Sequence, residues 1–510
     1  MNDASGPQKN IPLWMALSPI IVLITLLVIN VRIYTDDASY GPNQIALLLA
    51  AATAAIFGIA LGTTFKESLR GVIHALTASM TAMILLLLIG SLTGTWMISG
   101  IVPAMIYYGL DLLNPQIFLF ASVVICAIVS LGTGSSWSTI ATVGVALLGI
   151  GEALGISLPM AAGAIISGAY FGDKLSPLSD TTNLAAAMAE TELFGHIKYM
   201  LWTTVPSILI TLGIFLAIGF SADVSGAEAS NTEVLKSAIA AKFYITPWLF
   251  LAPATVLLLV ILRFDAISAL FIGVIIGGVF AVAFQPDVVR EVAALPAVET
   301  APESNWQKGL LYAKESYTAV INAMASPTAL TSDNPAAEKL LTGKGMEGML
   351  NTIWLIITAM CFGGIMEACG FLRRITEPLV RLAKSDGSLV ATTAGSCFFV
   401  NTTASDQYLS IVVPGRMFRE SFEERGLDAR NLSRTLEDAG TVTSVLVPWN
   451  TCGAAQMGVL GVAVTAFAPY CFFNIISPFM TMFYAFVGLK ILRTKTGADD
   501  GVGETPESDE

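Results

Sequence analysis

The sequence predicts an all-α polytopic membrane protein, and three observations carry that prediction. Hydrophobic residues fill 55% of the 510 positions and charged residues only 13%, against about 25% charged in an ordinary soluble domain. The mean hydropathy is +0.72. Apolar runs of about 20 residues, the length that crosses a hydrocarbon core as a helix, recur along the chain. A soluble protein this apolar would have nowhere to put its side chains, whereas a bilayer accepts an apolar outer surface.

The runs 13–33, 43–62, 80–100, 115–132, 139–156, 199–220, 246–263, 266–285, 349–371 and 460–489 meet the length test. The first is read as a membrane helix, because it is too long for a cleaved leader and lacks a small-residue cleavage site. Three further stretches, 158–185, 388–413 and 436–456, are apolar but interrupted by polar residues. The total is about ten to thirteen membrane segments. The organisation expected is a cytoplasmic tail (1–12), a first membrane half (13–220), a loop (221–243), membrane helices (244–285), an acidic loop (286–345), a second membrane half (346–490) and a disordered acidic tail (491–510).

The interrupted stretches are the informative ones. A charge at membrane depth costs roughly 2.5–3.5 kcal/mol on insertion scales, so several together face protein or a water-filled cavity. Glycines and prolines also break these stretches: Gly172, Pro177, Gly395, Pro414, Gly440, Pro448 and Gly453. Discontinuous helices of transporters have this composition. Arg373, Arg374, Arg381 and Lys384 precede 388–413, and Arg416, Arg419, Arg425, Arg430 and Arg434 follow it. The positive-inside rule puts both flanks in the cytoplasm. A re-entrant hairpin with its tip at Asn401–Asp406 satisfies that, and a simple crossing does not. A shift of 268 positions lays Ser135–Ser138 on Thr403–Asp406 and Gly172 on Gly440, a weak internal repeat that becomes inverted if each half has an odd number of crossings.

Four polar blocks are candidates for chemistry. The first, 132–139, contains Ser135 and Ser136, whose hydroxyls suit ion coordination; the structural alternative is bonding to their own helix. The second, 172–183, contains Asp173, Lys174, Asp180, Thr181, Thr182 and Asn183. Na+ prefers oxygen ligands, and Pro177 frees an upstream carbonyl. A carboxylate that binds Na+ or H+, but not both, is the minimal exchanger, and Asp180 is the first candidate. Asp173 is the second, with Lys174 beside it as an ion-pair partner or a snorkelling side chain. The third block carries Asn401, Thr402 and Asp406 at the hairpin tip, expected to face the second block. The fourth carries Thr441, Thr443 and Asn450. Glu437 and Asp438 open an apolar run there, where helix capping explains them. Asp180, Asn183, Asn401 and Asn450 are the expected Na+ ligands.

The segments GAYFGDKLSPLSDTTNLA (168–185), SDQYLSIVVPGRMF (405–418) and TLEDAGTVTSVLVPWNTCGA (435–454), with the spacing of 132–151, resemble the NhaC family of Na+/H+ antiporters. Two departures stand out: GTGSSWST where a shorter turn is expected, and Val445 in place of proline. The resemblance implies a multi-pass secondary transporter of the prokaryotic plasma membrane. It implies inverted repeats and an elevator-type transport domain moving against a dimeric scaffold. It also implies a site drawn from Asp180, Thr181, Thr182, Asn183, Asn401, Asp406 and Asn450. The partners expected are Na+, Li+, the lipid bilayer and a second copy of the chain. No cofactor is expected, the transported ions being Na+ and H+.

Other classes fit less well. A net charge of −12 offers no basic face for nucleic acid. A channel needs a continuous polar pore rather than short clusters. An intramembrane enzyme needs HExxH or a two-helix aspartyl pair, and neither motif is present, so no enzyme is expected. The rival is a Na+- and H+-coupled exchanger of organic acids such as malate and lactate. It needs a fixed cation near the site, for which Lys174 is the candidate.

Overall fold

Apolar runs capped by polar residues set the helices of the computed structural model, which describes residues 11–494 except 35–37, 39, 222–226, 295–303, 332–337, 339–340 and 381–382. The expected tails, up to residue 10 and from residue 495, lie outside the described residues, as does Arg381. The first half runs α1 (Leu13–Tyr34), α2 (Pro42–Ala60), α3 (Phe65–Ile98), α4 (Ile101–Leu112), α5 (Pro115–Thr133), α6 (Ser136–Ala153), α7 (Leu158–Leu175), α8 (Asp180–Met188) and α9 (Leu193–Ser221). Then come α10 (Ala227–Lys242), α11 (Pro247–Ile261), α12 (Ala266–Phe284), α13 (Pro286–Ala293) and α14 (Asn305–Ala325). The second half has α15 (Glu347–Ala368), α16 (Phe371–Val380), α17 (Asp386–Thr403), α18 (Gln407–Glu424), α19 (Ala429–Thr435), α20 (Thr451–Leu460), α21 (Val464–Tyr470) and α22 (Phe472–Val487). One antiparallel pair of two-residue strands joins Thr328–Ala329 to Thr342–Gly343.

Among the described residues, eight helices are long and apolar enough to cross a membrane, or up to ten if each of two bent pairs is one span. The protein is therefore a multi-pass membrane protein, with eight to ten spans where about ten to thirteen were expected. The run 460–489 is the main difference. It is broken at Gly461, which ends α20 with φ +73°, and α20 and α21 then bend by 92°. The helix expected at 80–100 begins earlier, at Phe65, where Thr64 and Glu67 form a capping box. The expected loop 221–243 carries α10, and 286–345 carries α13 and α14.

Two helical hairpins and the helices behind them form the centre. In the first, α5 runs to Thr133 and α6 returns, so that Gly151 meets the Phe118 ring near its base. Behind it, α7 presses its backbone onto α5: a Cβ at Gly168 or Gly172 would sit 2.2 or 2.3 Å from the carbonyl oxygens of Val123 and Ala127. Small residues four apart permit that approach between membrane helices. The second hairpin is α17 and α18, its base closed by Asp386 against Arg493 at 2.7 Å and Arg425 at 3.8 Å.

The two bases lie at opposite ends of α9. Gly195, at its start, is near Arg430, whereas Gly219, at its far end, packs on Gln116 at the base of the first hairpin. Residues 195 and 219 are separated by about 36 Å at 1.5 Å per residue, a full hydrocarbon thickness. The end with Arg425, Arg430 and Arg493 also holds Arg374, which donates to the Ile11 carbonyl at 2.6 Å. The positive-inside rule makes it the cytoplasmic end.

Candidate functional site

Each hairpin tip rests on a broken helix. Gly134 turns the first tip with φ +67°, and a Cβ there would lie 2.8 Å from the Leu178 carbonyl carbon. Only glycine fits both conditions. Ser135 caps α6 by accepting the Ser138 N–H at 3.2 Å. Ser136 donates its N–H at 3.0 Å and its hydroxyl at 2.6 Å to one oxygen of the buried Asp173 carboxylate. Below the tip, Pro177 separates α7 from α8. The Thr182 hydroxyl donates to the freed Lys174 carbonyl at 2.9 Å. Thr181 and Ser179 share a hydroxyl contact of 3.1 Å.

The second tip turns at Ser405, a non-glycine residue at φ +61°. Residues held there are strained, and such strain clusters at functional sites. Asp406 caps α18, accepting the Leu409 N–H at 2.9 Å. The Asn401 amide donates to the Gly440 carbonyl at 2.7 Å and the Thr443 hydroxyl at 3.1 Å. The Asn450 amide donates to the backbone and side-chain oxygens of Asn401, both at 3.0 Å. Thr451 N–H donates to the Ser405 carbonyl at 3.0 Å, and the Trp449 indole to the Thr402 carbonyl at 2.7 Å. The hairpin tip therefore sits on the fourth block, its α18 arm packs on α8 with Gly415 against Met188, and a cavity opens beside it toward Asp180.

The two halves correspond feature by feature. The left-handed turns fall at 134 and 405, the hairpin caps at Ser135 and Asp406, the prolines of the breaks at 177 and 448, and the caps after them at Ser179 and Asn450. Each pair is separated by 271 positions. The structural register thus corrects the shift of 268 suggested by residue identity.

The cavity, about 570 Å³, opens between the two tips and a wall made by α3 and residues 260–267. Asp173, Asp180, Asp265 and Asp406 line it, with Ser135, Ser138, Thr181 and Tyr408. The cation among its lining residues is Arg263. Asp180 is exposed to this space. Asn183 is not among its lining residues; its amide bonds back to the Ser179 and Pro177 carbonyls at 2.7 and 3.0 Å. Asn401 and Asn450 bond each other behind the second tip. The four expected Na+ ligands thus stand in separate places: Asp180 at the cavity, Asn183 in its own loop, and Asn401 with Asn450. Thr402 spends its hydroxyl on the Phe398 carbonyl at 2.9 Å.

Residues set aside in the sequence prove central. α19 starts at Ala429 under an Asp428 cap, so Glu437 and Asp438 do not begin a helix. They lie in its interior, in a π-helical turn (Leu436–Thr441), and both are fully buried. Lys174 neither pairs with Asp173 nor snorkels. It is fully buried and forms an ion pair with Asp438. Asp438 also accepts from Ser477 at 3.0 Å and Thr203 at 2.8 Å. The signal available in the sequence was Asp428 as a helix cap, which starts the helix eight residues before Glu437 and so puts both acids in a helix interior.

The Na+/H+ antiporter family model matches residues 168–298 and 310–489. The chain belongs to the Na+/H+ antiporter family. The match spans both breaks and the second hairpin, and leaves the first hairpin tip outside. The chain is 36% identical over 450 residues to the Na+/H+ antiporter NhaC of Alkalihalophilus pseudofirmus, covering 88% of this chain and 91% of that one. It is 34% identical to the NhaC of Bacillus subtilis, covering 88% and 92%. A malate-2H+/Na+-lactate antiporter of Bacillus subtilis is 33% identical, covering 89% and 91%. As a member of this family the protein is a transporter rather than an enzyme, and the relatives it resembles include Na+/H+ antiporters and a malate-2H+/Na+-lactate antiporter.

Proposed function

We propose that this chain exchanges Na+ for H+ across a prokaryotic plasma membrane by alternating access. The observation that carries the reading is the cavity itself: Asp173 and Asp180 from the break of the first half and Asp406 from the tip of the second converge there, with a single guanidinium among the lining residues. A hard cation is bound by such oxygen donors, and Asp180, the exposed one, is the carboxylate placed to take the Na+. Asp173, Thr181 and Ser135 supply further oxygens, and Li+, of the same charge and chemistry, is an expected second cation.

Two features support an inverted-repeat transporter. The matched elements recur 271 positions apart, and the hairpin bases sit at opposite ends of α9. In an elevator mechanism the hairpins and breaks would move together against α3, α11 and α12, and a second copy of the chain would hold that scaffold still.

A second reading is favoured by cavity size and Arg263: 570 Å³ exceeds what a bare ion needs, and a guanidinium suits a carboxylate substrate. The test is proteoliposomes with a trapped pH dye and an imposed proton gradient. Collapse of the gradient by Na+ or Li+ alone, and not in Asp180→Asn, supports cation exchange. A requirement for malate or lactate establishes the organic-acid reading instead. No response to any of these overturns both.

A further inference from the structure

We infer that Glu437 carries the exchanged proton, at a site separate from the cavity that binds the cation; this deepens the Na+/H+ reading and rests on it. Glu437 is fully buried, and among the described residues neither carboxylate oxygen has a hydrogen-bond partner. Its neighbour Asp438, one position along the same π-helical turn, takes Lys174, Ser477 and Thr203. One ammonium, Lys174, stands among Asp438, Glu437 and Asp173, while the buried Arg434 guanidinium, one turn before Glu437, lies over the Tyr199 ring and donates to the Lys490 carbonyl. Lys174 is already committed to Asp438. A buried carboxylate with no partner must be neutralised or paired.

A proton meets that need better than Na+. A cation of that kind needs several oxygen ligands, whereas the groups beside Glu437 are the hydroxyls of Thr441 and Thr181. The ammonium of Lys174 repels a second cation. A proton forms a covalent O–H bond, leaves the carboxyl neutral and needs no coordination shell.

The same geometry gives the proton a route. Thr181 lines the cavity and also stands at Glu437, and its hydroxyl contacts Ser179, another cavity-lining residue. Asp173 likewise lines the cavity and faces Glu437. The π-turn continues α19 and packs on α8, α17, α18 and α22; Lys174 and Asp173, at the end of α7, act on Glu437 through their charge, and Arg434 stands three positions before it on α19. Water in the cavity is one hydroxyl away from the buried carboxyl, so loss of the proton to that side follows cation binding at the tips.

The experiment is Glu437→Gln in proteoliposomes, with two assays run beside wild type. The amide keeps the shape and mimics the protonated state. Expected are loss of proton-driven Na+ uptake to the protein-free background, and Na+/Na+ exchange kept within about twofold and independent of pH. Proton-driven uptake with the wild-type pH profile overturns the proposal. So does loss of both modes in a folded variant, which would make Glu437 a cation ligand or a purely structural group. If Glu437→Gln does not insert, Glu437→Asp is read instead: a displaced pH profile supports the proposal, an unchanged one overturns it. Failure of wild type itself to couple Na+ to H+ removes the antiport reading, a result distinct from any of these.

Discussion

Lys174 and Asp438 form an ion pair in which both side chains are fully buried, and it joins the broken helix of the first half to that of the second. Thr203 of α9 and Ser477 of α22 complete the carboxylate's hydrogen bonds. Four segments distant in sequence therefore converge on one charge pair.

Removing one partner of such a pair strands the other. Asp438→Asn takes away the carboxylate that the buried Lys174 ammonium pairs with, and Lys174→Met leaves the Asp438 carboxylate with two hydroxyls only. Breaking a buried pair in this way costs about 3–5 kcal/mol, whereas replacing both members by apolar groups is often neutral. Thermal unfolding in detergent is therefore expected to fall sharply in each single variant and to recover in Lys174→Met/Asp438→Leu. Equal loss in all three would show that the pair does not tie the halves.

Asp173 and Asn183 separate binding from local structure. Ser136 gives the Asp173 carboxylate two donors, so Ser136→Ala removes one charged hydrogen bond, worth about 1.5 kcal/mol or more. If that bond orients Asp173 for the cation, KM for Na+ rises by roughly tenfold, and Asp173→Asn raises it further. Asn183→Ala loses only two bonds to backbone carbonyls of its own loop. Its exchange kinetics are expected within about twofold of wild type, with stability lower by about 1 kcal/mol. Sodium titrations of all three variants check the contrast.

What could be read from the sequence follows from what kind of signal each feature leaves. Apolar runs and arginine flanks are local, so most of the membrane helices and the second hairpin were legible. Positive φ at Ser405 and the π-turn at 436–441 leave no compositional mark, and the repeat register slipped by three residues because the tips share geometry rather than identity. Lys174 was misjudged for the same reason: its neighbour in sequence is Asp173, while its partner lies 264 positions away. The ligand quartet was assembled from residue type, yet the Asn183 amide is turned back onto its own loop, where it bonds the Pro177 and Ser179 carbonyls.

Asp428 gives a pH dependence whose sign can be worked out. The Arg430 guanidinium, bonded to both oxygens at 2.8 Å, holds the Asp428 carboxyl below its ordinary range. A depressed folded-state pKa adds stability above the unfolded value, about 3.9, and that stability is lost as pH falls through the folded value. Asp428→Asn keeps a capping side chain on α19 but has no such term. Its thermal stability is expected to be slightly below wild type at neutral pH and to converge with it under pH 4, an order-of-magnitude boundary set by the same reference value. Curves that stay parallel across the acid range would mean that the pair contributes nothing.

The end of the bundle away from the arginines carries a different fastening. The Lys344 ammonium donates to the Val459 carbonyl at 3.0 Å and to that of Gly458, the last carbonyls of α20. A cation at a helix C-terminus is favoured by the dipole there. Gly458 itself lies so close to α15 that a Cβ would sit 2.5 Å from the Thr352 hydroxyl. Alternating access requires the two walls at this end to part, and the Lys344 contact with α20 is expected to resist that opening. In Lys344→Met, a cysteine placed at the buried Val462 is expected to react several-fold faster (roughly one kcal/mol of opening) with a membrane-impermeant maleimide added from outside. An unchanged rate would show that the seal is made by the close packing of Gly458 on Thr352 alone, and Gly458→Val would then be the variant that opens it.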